Sequence, residues 1–228
     1  MRPPHDANQW RPTHTRSHAL DGRDVRIVAL CGSLQAKSKN LALLNIAGES
    51  VPPGVRLVLF DGLRDLPHFN PDIELSGVPE SVRRWRQALA ESDAVLIASP
   101  EYGFSLPGAL KNGIDWVIGS GELEEKTVAI TAAVPAPERG RCGLQALRDT
   151  LSAVRARIVG GEPIPFGPEF ESQIAALVRN LIDAAVIARR RPEPPHGECL
   201  RRTPLSQPHL GSCAALEGVK RRNVSRVL

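Results

Sequence analysis

The sequence predicts an α/β protein built around a doubly wound, five-stranded, all-parallel sheet. Two observations carry that expectation. Five short apolar runs are too continuous for a sheet with one wet face, and a helical apolar pattern follows each of them. A third is size: 228 residues, 42% hydrophobic and 24% charged, suffice for one large domain or for a smaller one with tails.

The first run, Val25-Arg26-Ile27-Val28-Ala29-Leu30, ends in Cys31-Gly32-Ser33, a strand followed by a turn. A helix fits 39–48, with Leu41, Leu44 and Gly48 on one face, and Val55–Phe60 is a second strand. After a Pro-rich loop, Val82, Trp85 and Leu89 recur at i, i+3 and i+7 on a helix that Pro79 opens. Ala94–Ala98 (AVLIA) reads as a strand buried on both faces. Pro107 opens the next helix, on which Leu110, Ile114 and Val117 share a face. Residues 127–131 form a fourth strand, and Leu144, Leu147, Leu151 and Val154 mark the helix after it. Residues 158–159 belong to a short fifth strand; Phe170, Ile174, Leu177 and Leu181 line a closing helix that fades near Arg189. Right-handed crossovers limit such a chain to a few arrangements, and five strands suit the flavodoxin-like order 2-1-3-4-5.

Residues 25–188 are the expected domain. Residues 1–24 and 189–228 are Pro- and Arg-rich without apolar periodicity, and they read as disordered extensions that bury too little to offset the entropy of ordering. The formal charge of +4 comes from the ends. The last forty residues hold nine Lys/Arg against three Asp/Glu, while 25–188 is net acidic, so no nucleic-acid partner is expected. No apolar run is long enough for a membrane helix and the start lacks a signal-peptide pattern, giving the expectation of a cytoplasmic protein without a membrane partner. Cys31, Cys142, Cys199 and Cys213 are scattered without a C-x-x-C pair, and five of the six histidines lie in the extensions, so neither a disulfide framework nor a metal site is expected.

Chemistry is sought where the strand order reverses, beyond the carboxyl ends of strands 1 and 3. After strand 1, Gly32-Ser33-Leu34-Gln35-Ala36-Lys37-Ser38-Lys39-Asn40 offers hydroxyls, an amide, free backbone N–H groups and a helix N-terminus, a combination suited to phosphate. It is not a Walker A loop, because Lys37 stands where the second Gly belongs. An ordinary strand-to-helix turn capped by Ser38 is the plainer reading of this segment alone. After strand 3, Ser99-Pro100-Glu101-Tyr102-Gly103-Phe104-Ser105-Leu106-Pro107-Gly108 leads through Leu110-Lys111-Asn112 to Asp115-Trp116. This segment can present a flat, rigid edge beside the first loop, with the chain's only tyrosine at its centre.

These two segments, and Asp61 to Asp72 after strand 2, resemble the NADPH-dependent FMN reductase family, whose loops read G-S-x-R-x-x-S-x-N and P-E-Y-N-x-S-x-P-G-x-L-K-N-x-x-D-W. The resemblance covers roughly 25–188 in order and spacing, and its second motif is the more specific. It implies a cytoplasmic flavoprotein oxidoreductase with FMN as cofactor and NADPH or NADH as co-substrate. Ser33, Gln35, Ser38 and Asn40 would hold the FMN phosphate. Pro100, Glu101, Tyr102, Gly103 and Phe104 would run along the isoalloxazine edge, with 133–135 closing over the pyrimidine end. Lys111, Asn112, Asp115 and Trp116 would be structural. Hydride would pass from the nicotinamide to the flavin, and a small acceptor such as a quinone would then collect two electrons, with no side chain acting as acid or base. A homodimer or homotetramer is also implied.

Three positions depart from the pattern. Gln35 replaces the loop arginine, Gly103 replaces the asparagine after the tyrosine, and Thr131 to Gly140 lacks the Gly-rich run. They keep a second reading open, a non-catalytic flavodoxin-like module that binds FMN as a carrier or acts through its tails. Serine hydrolysis fits poorly: Gly103-Phe104-Ser105 opens like a nucleophile elbow, but Pro107 stands where Gly is required and His68 is the only histidine of the domain. Arg64, Arg139 and Arg141 are candidates for a 2′-phosphate by loop position.

Overall fold

The computed structural model describes residues 23–190. Of the extensions expected over 1–24 and 189–228, residues 1–22 and 191–228 lie outside the described residues. Five parallel strands, β1 (Val25–Cys31), β2 (Val55–Phe60), β3 (Ala94–Ala98), β4 (Thr127–Val134) and β5 (Arg157–Pro165), pair in the order β2-β1-β3-β4-β5. Six helices connect and cover them: α1 (Lys39–Glu49), α2 (Pro71–Ser76), α3 (Glu80–Ala90), α4 (Gly108–Ile118), α5 (Arg141–Ala153) and α6 (Phe170–Arg189).

Strand alternation divides the core into two layers. Val28, Leu30, Val95, Ile97, Val128 and Ile130 face α3, α4 and α5, where Val82, Trp85, Leu89, Ile114 and Leu147 are fully buried. Ile27, Ala29, Ala94, Leu96 and Ala129 face α1 and α6 through Leu43, Leu44, Ile174, Val178 and Leu181. The small side chains of β3 and β4 on this second face let α1 and α6 lie close to the sheet. The central strand β3 has no exposed residue, which explains why its sequence shows no alternation.

The expected elements are present, with four adjustments. The buried stripe of α1 is Asn40, Leu43, Leu44 and Ala47, and the expected Leu41 and Gly48 are only partly covered. β4 runs on to Val134, so Ala133 and Val134 belong to the strand and not to a loop. β5 is nine residues long because the chain takes one extra residue there: Ile130 pairs with Gly160 but Ala132 pairs with Pro163. Gly160 and Gly161, both at positive φ, absorb that bulge. The short helix α2 and a 3-10 turn at Gly62–Asp65 lie in the loop after β2. Among the described residues, no helix is long and apolar enough to cross a membrane.

Candidate functional site

Each strand of a parallel sheet leaves its last carbonyl groups at one edge, and the loops after β1, β3 and β4 meet at that edge. Gly32 leaves β1 with its N–H donating to the Ala98 carbonyl at 2.9 Å, and Ser99 leaves β3 with its N–H donating to the Thr131 carbonyl at 2.9 Å. The approach is too close for any side chain at 32, since a Cβ there would lie 2.6 Å from Ser99 Oγ. This contact fixes the spacing of the first two loops.

Side chains then lace the loops together. Ser33 Oγ accepts the Gln35 N–H at 3.2 Å and lies 3.3 Å from Tyr102 Oη, joining the loop after β1 to the loop after β3. Ser38 caps α1, accepting the Asn40 N–H at 3.2 Å. Asn40 Oδ1 accepts the Ala133 N–H at 2.9 Å, reaching from α1 to the end of β4. Ser33, Ser38 and Asn40 are all buried. The first turn of α1 contains no acidic residue, so the positive end of that helix is not neutralised from within.

The segment after β3 is a tight turn. Tyr102 N–H donates to the Ser105 carbonyl at 2.9 Å and Ser105 N–H returns to the Tyr102 carbonyl at 3.0 Å. Gly103 (φ 56°) and Phe104 (φ 60°) occupy its centre, both in the left-handed region that a type I′ turn demands. Tyr102 and Phe104 are exposed, and a Cβ at Gly103 would meet nothing within 4 Å, so the turn stands beside open space. The N–H of Tyr102 is consumed by the turn itself, whereas those of Glu101, Gly103 and Phe104 have no partner among the described residues. Glu101 differs from the residues around it. Its carboxylate turns away to accept the Gly143 N–H of α5 at 2.9 Å.

Residues of α4 hold the loop after β2. Asn112 accepts the Phe69 N–H at 2.7 Å and donates to the Pro67 carbonyl at 2.9 Å, Trp116 Nε1 donates to the same carbonyl at 2.7 Å, and Phe69 packs edge-on against Trp116. Lys111 pairs with Asp115 along the helix. Asn112 and Trp116 brace the loop after β2, which borders a small cavity of about 80 Å³ that Arg64 shares with Ser33, Gln35 and Cys31. Arg141 is engaged with Glu162 at 3.2 Å. No hydrogen bond links Ser105 to the exposed His68, and the backbone of Ser105 serves the turn.

Gln35, Ser33, Ser38, Pro100, Glu101, Tyr102, Gly103 and Phe104 therefore lie in two loops tied to each other, and Asn40, in the first turn of α1, reaches a third segment at β4. The fit to a flavin mononucleotide rests on what these groups are. Buried hydroxyls and an unneutralised helix end suit a phosphate; unused N–H donors beside open space suit the electronegative edge of a flat ring. Sequence reading missed the outward turn of Glu101, because nothing at 101 signals a partner 42 positions later.

Comparison with known proteins gives the same direction. The family model for NADPH-dependent FMN reductase matches residues 25–167. The chain is 38% identical over 120 residues to an NAD(P)H-dependent FMN reductase of Pseudomonas aeruginosa, covering 53% of this chain and 63% of that protein. It is 41% identical over 96 residues to an NAD(P)H:quinone oxidoreductase of Solanum tuberosum, covering 40% of this chain and 49% of that one. The alignments thus span between about half and two thirds of these relatives' length. Among solved structures, the flavoenzyme NAD(P)H:(acceptor) oxidoreductase FerB of Paracoccus denitrificans superposes with a TM-score of 0.60 at 26% identity, over 70% of this chain and 98% of that one.

Proposed function

Because the chain belongs to the NADPH-dependent FMN reductase family, we propose that it is an FMN-dependent NAD(P)H oxidoreductase that passes two electrons to a small quinone-like acceptor. The observation that carries this reading is the contact between Ser33 Oγ and Tyr102 Oη at 3.3 Å, which ties a phosphate-type loop to a ring-type loop at one edge of the sheet. Quinone is named as the acceptor class because relatives such as the Solanum tuberosum protein carry that activity in their names.

In this reading Ser33, Ser38 and the N-terminus of α1 hold the phosphate. The helix end and hydrogen-bonding hydroxyls together favour an anion without a fixed positive charge at Gln35. Asn40 has its carbonyl oxygen occupied by Ala133, so only its NH₂ remains to serve a ligand. The turn at Tyr102 to Ser105 offers the N–H groups of Glu101, Gly103 and Phe104 to the ring's edge, donors that favour added negative charge there. Bound FMN supplies the hydride chemistry itself. The protein's part is to bind, to orient and to leave one ring face open to the nicotinamide and then to the acceptor. No residue is required to move a proton. The resemblance also implies a homodimer or homotetramer, which the mass of the full chain in solution would test.

The test is a titration of the full chain with FMN and, in parallel, with riboflavin, followed by quenching of flavin fluorescence. The reading expects saturable FMN binding and clearly weaker riboflavin binding, since riboflavin lacks the phosphate. Equal affinity for the two would remove the phosphate role from Ser33 and Ser38; no binding of either would sink the whole reading.

A further inference from the structure

Helix α5 starts without a cap of its own. Its N-cap is Gly140, which has no side chain, and no side-chain hydrogen bond closes the end from within. The acceptor arrives from another part of the chain: Glu101, in the loop after β3, takes the N–H of Gly143, the third residue of the helix, at 2.9 Å. The two backbones are in contact as well. A Cβ on Gly143 would lie 2.9 Å from both Cα and Cβ of Glu101 and 3.1 Å from its Cγ. The helix has therefore kept a glycine where the loop rests on it, and the loop has placed its carboxylate where the helix dipole and an orphan N–H favour a negative charge. Glu101 is the residue immediately before the Tyr102 turn, and its own N–H has no partner among the described residues.

We propose that the Glu101 side chain is a positioning group: by capping α5 through Gly143 N–H, the carboxylate sets the backbone of residues 100–104 against the flavin, and the carboxylate itself does not touch the cofactor. This rests on the reading of the site as an FMN site. The pair works in both directions, so either partner should reveal it. Gly143→Ala moves the Glu101 backbone from a helix position that contributes no group to the site. Glu101→Ala removes the acceptor. Glu101→Gln keeps an oxygen that can accept the same N–H.

The experiment measures two quantities on the full chain: amide hydrogen exchange of residues 101–105 without ligand, and FMN dissociation constant with the absorption spectrum of the bound flavin. The inference expects faster exchange at Tyr102 and Ser105 in Glu101→Ala and Gly143→Ala, with FMN bound about tenfold more weakly or worse and its visible band altered. Glu101→Gln should recover most of the affinity lost in Glu101→Ala. A helix cap with no bearing on the site would lower thermal stability while leaving affinity and spectrum as in the parent, and that result overturns the inference alone. Failure of the parent chain to bind FMN overturns the functional reading and the inference together, so the two failures are told apart.

Discussion

Gly103 stands at φ 56° and Phe104 at φ 60°, and this pair explains a departure that the sequence only flagged. The family pattern has asparagine at the first of these positions, and asparagine and glycine are the two residues that enter the left-handed region at little cost. Gly103 thus preserves the turn that the asparagine would make. Gly103→Asn should leave thermal unfolding almost unchanged, whereas Gly103→Val should lower stability by about 1–2 kcal/mol, the ordinary cost of a left-handed side-chain-bearing residue. Unfolding of both variants by circular dichroism checks the pair; equal loss in both would contradict the turn assignment. Asn40 is a second case. Its position in a G-S-x-x-x-x-S-x-N loop was legible, but its bond to the Ala133 N–H was not, since the partners are 93 residues apart. Asn40→Ala should cost about 1 kcal/mol in urea unfolding before any effect on ligand binding is counted, and no loss of stability would mean that the bond to β4 contributes nothing.

The elements that were legible are those whose apolar pattern is set by burial alone. AVLIA reads as a covered strand, and Val82, Trp85 and Leu89 as one face of a helix, and both are so. β5 was truncated in the sequence reading because Arg157–Pro165 contains Gly160, Gly161, Glu162 and Pro163, residues that signal a loop. Its length comes from pairing with β4, a tertiary effect, and from an edge position where proline is tolerated. The short α2 was missed because six residues with none buried leave no periodic stripe.

Charge also acts at this scale. Lys126 opens β4's side of the sheet by donating to the carbonyls of Leu89 at 2.9 Å and Ser92 at 2.6 Å, closing the end of α3. Burial pushes its pKa below the ordinary lysine value, with Asp93 and Glu122 opposing that shift. As pH rises through the window between the lowered value and the ordinary one, the native chain loses this proton while the unfolded chain still holds it. The unfolded state then binds more protons, so this residue's contribution to stability increases with pH there. The unfolding free energy of the parent should accordingly rise relative to that of Lys126→Met on moving from neutral to alkaline buffer. A fall of the parent relative to the variant would show that burial does not dominate at this site.

For the molecule as a whole, the two ends of the domain are clasped at the edge of the sheet opposite the candidate site. Asp93 accepts the Arg26 N–H at 2.7 Å and the Arg189 guanidinium, and Arg189 also donates to the Asp24 carbonyl at 2.8 Å. The last turn of α6 is thereby fastened to the starts of β1 and β3. The sequence places the fading of the closing helix near Arg189, where α6 ends, and the ion pair with Asp93 anchors that last residue. Asp93→Ala should lower stability by about 1–2 kcal/mol, since it removes the carboxylate that accepts both the Arg189 guanidinium and the Arg26 N–H. FMN affinity should stay at the parent value, because the clasp lies at the far ends of the strands. A parallel loss of affinity would mean that the two edges are coupled.

In the function proposed for this chain, the loops after β1 and β3 together hold a flavin able to exchange electrons with a nicotinamide. The direct measurement is anaerobic absorption spectroscopy of the full chain loaded with FMN. Addition of NADPH should bleach the flavin band near stoichiometry, and subsequent addition of a benzoquinone should restore it. A flavin that binds but stays oxidised in the presence of both NADPH and NADH would contradict the account and identify the chain as a carrier.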